Sequence, residues 1–139
     1  MTATSASFSI PIRVYYGDTD AAGVVYYANY LRFMEQARTE WLRSLGVDQA
    51  QLRQESNLVF AIAKATVEYR RPAFLDDELI VTAEPGKYGR ASFEFTQHVF
   101  RGEELLTRGC VKVACVDTQS IRSAPIPEAI REILLNSPS

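Results

Sequence analysis

The sequence predicts a single domain of the α+β class, in which one long helix packs against an antiparallel sheet. Three observations support this prediction. The chain has 139 residues, which is the size of one domain. Residues 28–45 repeat apolar side chains with a helical period, and five other segments alternate as strands do. Because a lone amphipathic helix must bury its apolar face, we expect that face to lie on the sheet.

The first two elements are a strand and the long helix. In residues 8–16, Phe8, Ile10 and Ile12 fall on one face, which indicates a half-buried strand. The helix at 28–45 has one apolar face, made of Tyr30, Phe33, Met34, Ala37, Trp41 and Leu45. Gly46 is expected to end this helix. On its flank, Glu35 and Arg38 lie three residues apart, and we expect them to form a helix-stabilising pair, with a catalytic role for Glu35 as the alternative.

The remaining elements are two short helices and four strands. Helices are predicted at 48–56 and at about 127–135, the second with Pro127 at its first position. Strands at 58–71, 78–84, 90–101 and 105–118 are separated by short turns, which predicts an antiparallel meander. One face of the first of these strands is expected to carry Val59, Ala61, Ala63, Ala65, Val67 and Tyr69. Residues 1–7 and 136–139 are expected to be flexible.

The composition excludes several classes of protein. Hydrophobic residues make up 47%, charged residues 23%, and the net charge is −2, so neither a disordered chain nor a broadly basic nucleic-acid surface is expected. One His and two Cys disfavour a transition-metal site. Cys110 and Cys115, five apart on a strand, would face opposite sides as free thiols. The start MTATSASFSI lacks the features of a secretory signal, and no segment approaches the ~20 apolar residues of a membrane helix, so we expect a cytoplasmic protein.

The densest candidate for chemistry is the segment YGDTDAAGVVYYANY at 16–30. It places Asp18 and Asp20 in a turn just ahead of the long helix. A helix start presents unpaired N–H groups that can stabilise an oxyanion. A carboxylate beside it can attack a carbonyl or deprotonate a water. These residues therefore predict an acyl-transfer site, with a helix cap or a turn residue as the structural alternative for either Asp.

Several other residues are weaker candidates for a functional site. His98 is expected to face outward from its strand. The group Tyr15, Tyr16, Tyr26, Tyr27 and Tyr30 is expected to serve the core and an interface. A metal bound by Asp18 and Asp20 is disfavoured, since no further carboxylate follows before Glu35. Arg90, with Lys87, Arg70 and Arg71, belongs either to a charged hairpin or to a phosphate contact.

From residue 18 onward, the sequence resembles the hotdog-fold acyl-CoA thioesterases. The segment DTDAAGVVYYANYLRFMEQARTEWLRSLG carries the resemblance, which continues through YRRPAFLDDELIV (69–81) and VKVACVD (111–117). More narrowly, it is similar to the tol–pal system-associated acyl-CoA thioesterases and to the hydroxybenzoyl-CoA thioesterases. The resemblance implies one hotdog domain over 1–139, with a long central helix wrapped by a curved antiparallel sheet of about five strands. It also implies a homodimer or homotetramer with active sites at the dimer interface, and the free edges of such a sheet favour association.

The resemblance further implies roles for individual residues. Asp20 would be the catalytic carboxylate, and the backbone N–H of Tyr27 would bind the thioester carbonyl. Gly23 would allow the close turn. The residues that would hold coenzyme A are Tyr88, Gly89, Arg90, Ala91 and Ser92. Many tol–pal-associated relatives have His where this chain has Tyr27, so no imidazole is available at that position.

These features together predict an acyl-CoA thioesterase that hydrolyses its substrate to a free acid and coenzyme A. Asp20 would act as nucleophile or as general base, and no metal or redox cofactor is expected. The acyl donor, coenzyme A or acyl carrier protein, and the acyl group, aliphatic or aryl, stay open. The alternative is a non-catalytic protein of lipid metabolism that binds acyl-CoA or acyl carrier protein or serves as a scaffold. A hotdog dehydratase is a weaker alternative, because it would be expected to use a catalytic His.

Overall fold

The computed structural model describes residues 8–137. Residues 1–7 and 138–139, which are expected to be flexible, lie outside that range. The strands are β1 (Phe8–Arg13), β2 (Leu58–Tyr69), β3 (Glu78–Gly86), β4 (Ser92–Arg101), β5 (Glu104–Asp117) and β6 (Arg122–Ser123). The helices are α1 (Asn29–Ser44), α2 (Gln49–Ser56) and α3 (Glu128–Leu135). All predicted elements are present, although Pro127 is the residue before the first turn of α3 rather than within it.

The sheet is antiparallel and curled, with strand order β1-β3-β4-β5-β2 and with β6 paired to β5. The predicted α+β class is confirmed. The predicted four-strand meander is wrong at one point, because β2 pairs with β5 and not with β3. The connection at 70–77 explains the difference. Arg70 and Arg71 donate their backbone N–H groups to the Leu106 carbonyl in β5, whereas Asp76 donates to the Val14 carbonyl just after β1. The chain thus crosses the end of the sheet and enters β3 beside β1.

The core lies between α1 and the inner face of the sheet. The predicted apolar face of α1 is confirmed, because Phe33, Met34 and Ala37 are fully buried. Trp41 meets Phe95 edge to face, with ring centroids 5.4 Å apart. Gly109 makes room for this packing, since a Cβ there would lie 2.8 Å from the Met34 side chain. Burial of each such large side chain stabilises the fold by roughly 1.5–3 kcal/mol.

Much of β2 is exposed in the single chain, because α1 lies mainly over β1 and β3 while the short α2 contacts β2. A β-bulge between Ile62 and Lys64 also changes which residues face inward. Ile62 lies opposite buried Val113, and Ala65 lies opposite buried Val111. The predicted face of β2 is therefore wrong before the bulge, where alternate residues from 60 to 62 face inward instead of 59, 61 and 63. One extra residue in the strand reverses the alternation.

A buried polar pair replaces the predicted contact between Glu35 and Arg38. Arg38 is 7% exposed and donates to the side-chain oxygen of Gln97 at 3.0 Å. Gln97 in turn donates to the backbone oxygens of Met34 and Thr82. Burial lowers the pKa of Arg38. The predicted pair is wrong, because an acceptor from the sheet satisfies Arg38 while Glu35 accepts a hydrogen bond from Thr39.

Candidate active site

Residues 19–25 form a short hairpin that carries Asp20. Thr19 and Val25 pair across its base, and the Asp20 N–H donates to the Val24 carbonyl at 2.9 Å. The turn closes where the Gly23 N–H donates to the Asp20 carbonyl. Gly23 has a φ of +84°, a conformation that favours glycine. The local sequence therefore builds a tight turn that presents a carboxylate immediately before α1.

The Asp20 side chain is exposed and has no cationic partner among the described residues. Its Oδ1 accepts hydrogen bonds from the backbone of Ala22 at 2.9 Å and of Val24 at 3.4 Å. No described residue donates to its Oδ2. Neither aspartate caps α1, which begins after Ala28 without any side-chain cap, but the turn-residue alternative holds for Asp20, whose Oδ1 bonds its own turn. Asp20 thus stabilises its own turn through one oxygen and leaves the other available for proton transfer or attack.

The start of α1 supplies free backbone donors. The Asn29 N–H donates to the Tyr26 carbonyl at 2.8 Å, and the Tyr30 N–H lies 3.4 Å from the Tyr27 carbonyl. No described residue accepts a hydrogen bond from the N–H of Tyr27 or of Ala28. These two N–H groups lie at the positive end of the helix dipole. They can therefore bind a carbonyl oxygen and the negative charge that develops on it.

A cavity of about 270 Å³ adjoins this helix start. It is lined by Val25, Tyr27, Tyr30, Tyr69, Arg70, Arg71 and Pro72. Tyr69 donates its hydroxyl to the Tyr27 carbonyl at 3.0 Å, and the Tyr30 hydroxyl accepts the Ala73 N–H at 3.0 Å. Burial raises the pKa of Tyr30 and of Tyr69, which keeps both phenols neutral. Tyr69 is a site residue that the sequence pattern does not reveal, since its contact with Tyr27 spans 42 residues.

The segment predicted to hold coenzyme A, 88–92, is packed against the C-terminal helix. Tyr88 stacks on Phe93 with ring centroids 5.7 Å apart and donates its hydroxyl to the Leu134 carbonyl. The Gly89 carbonyl accepts from Arg131, the Arg90 carbonyl from Ile126, and the Ala91 carbonyl from Cys115. The Ser92 carbonyl accepts the Gly89 N–H at 2.7 Å. Of these side chains, that of Arg90 is exposed and has no ion-pair partner among the described residues.

A single chain does not bring Asp20 and Arg90 together. Arg90 precedes β4, whereas Arg101 at the far end of β4 donates to the Pro72 carbonyl in the crossing segment. That crossing segment holds the hairpin, since the Val25 N–H donates to the Ala73 carbonyl. β4 has ten residues, so its two ends lie about 30 Å apart. The predicted catalytic and coenzyme-binding residues thus occupy opposite ends of the sheet.

The other candidates lie elsewhere. His98 is on the outer face of the sheet, as predicted, where burial and Arg108 lower its pKa. Cys110 and Cys115 are free, and Cys115 is the buried one of the two. Among residues 8–137, no group of side chains is arranged to hold a metal ion. In the same range, no helix has the length and apolarity needed to cross a membrane.

Several known proteins are similar to this chain in sequence and in architecture. The profile of the thioesterase-like superfamily matches residues 14–134. Acyl-CoA thioesterase YbgC of Haemophilus influenzae is 43% identical over 124 residues, which cover 89% of this chain and 91% of that protein. A 1,4-dihydroxy-2-naphthoyl-CoA hydrolase of Thermosynechococcus vestitus is 32% identical over 126 residues, 90% of this chain and 86% of that protein. The crystal structure of Slr0204, a 1,4-dihydroxy-2-naphthoyl-CoA thioesterase from Synechocystis, superposes with a TM-score of 0.86 at 23% identity, covering 94% of this chain and 96% of that one. The predicted hotdog fold is therefore confirmed.

Proposed function

We propose that this chain, which belongs to the thioesterase-like superfamily and is a thioester hydrolase, cleaves acyl-CoA at the junction of the 19–25 hairpin and α1. One observation carries the proposal: among residues 8–137, one Asp20 carboxylate oxygen and the Tyr27 N–H at the following helix start both lack a hydrogen-bond partner. The relatives named above act on acyl-CoA and on an aryl-CoA. Both substrate types contain the same thioester, and the proposed chemistry is directed at that group.

The proposed mechanism divides the work between a carboxylate and a helix dipole. The Tyr27 N–H holds the thioester carbonyl oxygen and stabilises the oxyanion that forms on attack. As a general base, Asp20 removes a proton from water, the water oxygen bonds to the carbonyl carbon, and the carbon–sulfur bond breaks. The coenzyme A thiolate then takes the proton back from Asp20. As a nucleophile, Asp20 would instead attack the carbonyl carbon, the carbon–sulfur bond would break to release the coenzyme A thiolate, and water would hydrolyse the resulting mixed anhydride. Label found in Asp20 after single-turnover hydrolysis in isotopically labelled water would demonstrate the second route, because it requires attack of water on the Asp20 carbonyl carbon of the anhydride.

We further propose that two copies of the chain complete the site. Within the described residues β2 has a neighbouring strand on one side only, which leaves twelve residues of free edge. Leu58 lies at the same end of the sheet as Ser92, and Tyr69 lies at the end that holds the hairpin. Antiparallel pairing of two β2 edges would therefore bring the 88–92 segment of one copy beside Asp20 of the other. This arrangement accounts for the separation of Asp20 and Arg90 within one chain.

The coenzyme and the acyl group would occupy different parts of this composite site. Arg90 is proposed to contact a phosphate of coenzyme A, because its exposed guanidinium has no partner within residues 8–137 and matches phosphate geometry. The aromatic cavity beside Tyr27 is proposed to take the acyl group. Acyl carrier protein is an alternative donor, because it presents the same thioester. We place the reaction in the cytosol, where Cys110 and Cys115 stay reduced.

A thiol-release assay tests the proposal. The purified full chain is incubated with short, medium and long acyl-CoAs, one aryl-CoA and one acyl-carrier-protein thioester. Turnover on any of them, lost in Asp20→Asn, is the expected result, and the highest kcat/KM identifies the acyl class and the donor. Binding of acyl-CoA without turnover on the whole panel would contradict the proposal and would favour a sensor or scaffold.

A further inference from the structure

Asp18 is a buried carboxylate at the base of the hairpin. It is 6% exposed and ends the 3₁₀ turn Tyr16–Asp18. Its Oδ2 accepts the Tyr15 N–H at 2.9 Å, and its Oδ1 accepts a charged hydrogen bond from Arg32. Removing a carboxylate from water is unfavourable unless it is paired and hydrogen-bonded. Asp18 meets this requirement by joining the end of β1 to α1.

The backbone of Asp18 holds the residue before the proposed oxyanion donor. Its carbonyl accepts the Tyr26 N–H at 3.0 Å and the side-chain amide of Asn29 at 2.9 Å. The Asn29 N–H also donates to the Tyr26 carbonyl at 2.8 Å. That carbonyl belongs to the same peptide group as the Tyr27 N–H. The plane of this peptide group is thus fixed through Tyr26 on one side and through Asn29 on the other.

The same contacts set the position of the Asp20 carboxylate relative to α1. Asn29 and Arg32 lie three residues apart in α1 and share a face, and both reach Asp18. Asp20 follows two residues after Asp18, beyond the bridge between Thr19 and Val25. The hairpin and the first turns of α1 are therefore joined through one residue. A displacement of about 1 Å between reacting groups can cost roughly a hundredfold in rate.

We infer that Asp18, Asn29 and Arg32 are positioning residues that align the Asp20 carboxylate with the Tyr27 N–H. They act through the backbone and not through contact with the reacting atoms. The inference rests on the proposed function, because it assigns the purpose of these contacts to that reaction. It also assigns different roles to the two aspartates of the D-x-D sequence: Asp18 positions the reacting groups, and Asp20 takes part in the reaction.

Isosteric variants of these positions test the inference. Asp18→Asn removes the ion pair, Asn29→Asp removes the side-chain donor, and Arg32→Gln removes the cation. Each is expected to lower kcat by about ten- to a hundredfold, with KM changed by no more than about twofold. Arg32→Lys is expected to recover part of the loss. The double variant Asp18→Asn/Arg32→Gln should be no slower than the worse single variant, because both changes remove one interaction.

Nuclear magnetic resonance reports the local geometry around the Tyr27 amide separately from the free energy of unfolding of the whole protein. In folded Asp18→Asn and Asn29→Asp proteins, the backbone amide of Tyr27 is expected to shift, and the amide of Tyr26, which donates to the Asp18 carbonyl, is expected to exchange with solvent faster than in the wild type. The control is Arg43→Gln, which removes an exposed ion pair with Glu40 on the same helix and should leave both kcat and the Tyr27 amide unchanged.

Three results would overturn the inference: wild-type kcat in the folded variants, an unchanged Tyr27 amide, or losses that add in the double variant. If Asp18→Asn does not fold, Asn29→Asp and Arg32→Gln decide the same question. The outcome is separable from the proposed function. An active Asp20→Asn protein would contradict the function itself, whereas an inactive Asp20→Asn beside fully active Asp18→Asn, Asn29→Asp and Arg32→Gln would contradict only the positioning role.

Discussion

Asp18 and Asp20 lie two residues apart but in opposite environments. Asp18 is buried and bonded to Arg32 and to the Tyr15 backbone, while Asp20 is exposed and accepts backbone hydrogen bonds from its own turn. In the part of the chain that the structure describes, Asp20 is therefore the one of the two whose carboxylate keeps an oxygen without a donor. This difference supports a catalytic role for Asp20 and a structural role for Asp18.

The Gly23 turn gives a prediction about stability and rate. Because Gly23 has a φ of +84°, Gly23→Ala is expected to lower the free energy of unfolding by about 1 kcal/mol and to reduce kcat by displacing Asp20. Gly17→Ala is the matched control, since a Cβ there meets no atom within 4 Å and no positive φ is involved. Urea unfolding and thiol release measure both effects. Equal stability of the two variants would contradict the account.

Arg90 gives a prediction about substrate binding. Arg90→Ala is expected to raise KM for acyl-CoA about tenfold while changing kcat by no more than about twofold, because a charged hydrogen bond to phosphate is lost. Arg53→Ala, an exposed arginine on α2, should change neither constant. The comparison substrate is an acyl-pantetheine, which lacks the nucleotide. An equal rise in KM for that substrate would exclude a phosphate contact.

Two buried threonines give a prediction about stability. The Thr107 hydroxyl has no hydrogen-bond partner among the described residues, whereas the Thr82 hydroxyl accepts the His98 N–H at 2.8 Å. Thr107→Val is therefore expected to raise the free energy of unfolding by about 1 kcal/mol, and Thr82→Val to lower it by about the same amount. Urea unfolding of both variants checks this. A loss of stability in Thr107→Val equal to that in Thr82→Val would show that the hydroxyl is satisfied.

The open edge of β2 gives a prediction about assembly. Ile62 lies in the middle of β2 and is 48% exposed in the single chain. Ile62→Asp should therefore fold but remain monomeric, and its turnover should be lost because the proposed site needs two copies. Ile121→Asp places the same charge at another exposed position, 75% accessible, and should leave assembly intact. Sedimentation measures both, and an active Ile62→Asp monomer would refute the two-copy site.

The sequence predicts those features that depend on neighbours along the chain. The apolar face of α1 and the end of the helix at Gly46 follow from periodicity and from one backbone preference. The candidate segment at 16–30 follows from turn residues placed before a helix. The burial of alternate residues in β4, such as Phe93 and Phe95, follows from the period of a strand.

Features that depend on distant contacts do not follow from local pattern. The place of β2 beside β5 depends on the crossing at 70–77, and the reversal after Ile62 depends on a bulge that no composition rule marks. Arg38 finds Gln97 across 59 residues instead of its helical neighbour Glu35. The ion pair between Arg32 in α1 and Asp18 in the 3₁₀ turn likewise joins residues that are distant in the sequence, 14 positions apart.

The most direct test of the account is the turnover of acyl-CoA by wild-type protein and by Asp20→Asn at saturating substrate. Circular dichroism and acyl-CoA binding establish that the variant is folded and able to bind. We expect kcat to fall by about 10²–10⁴-fold while binding is retained. A folded Asp20→Asn protein with the wild-type kcat would contradict the central claim that this carboxylate performs the hydrolysis.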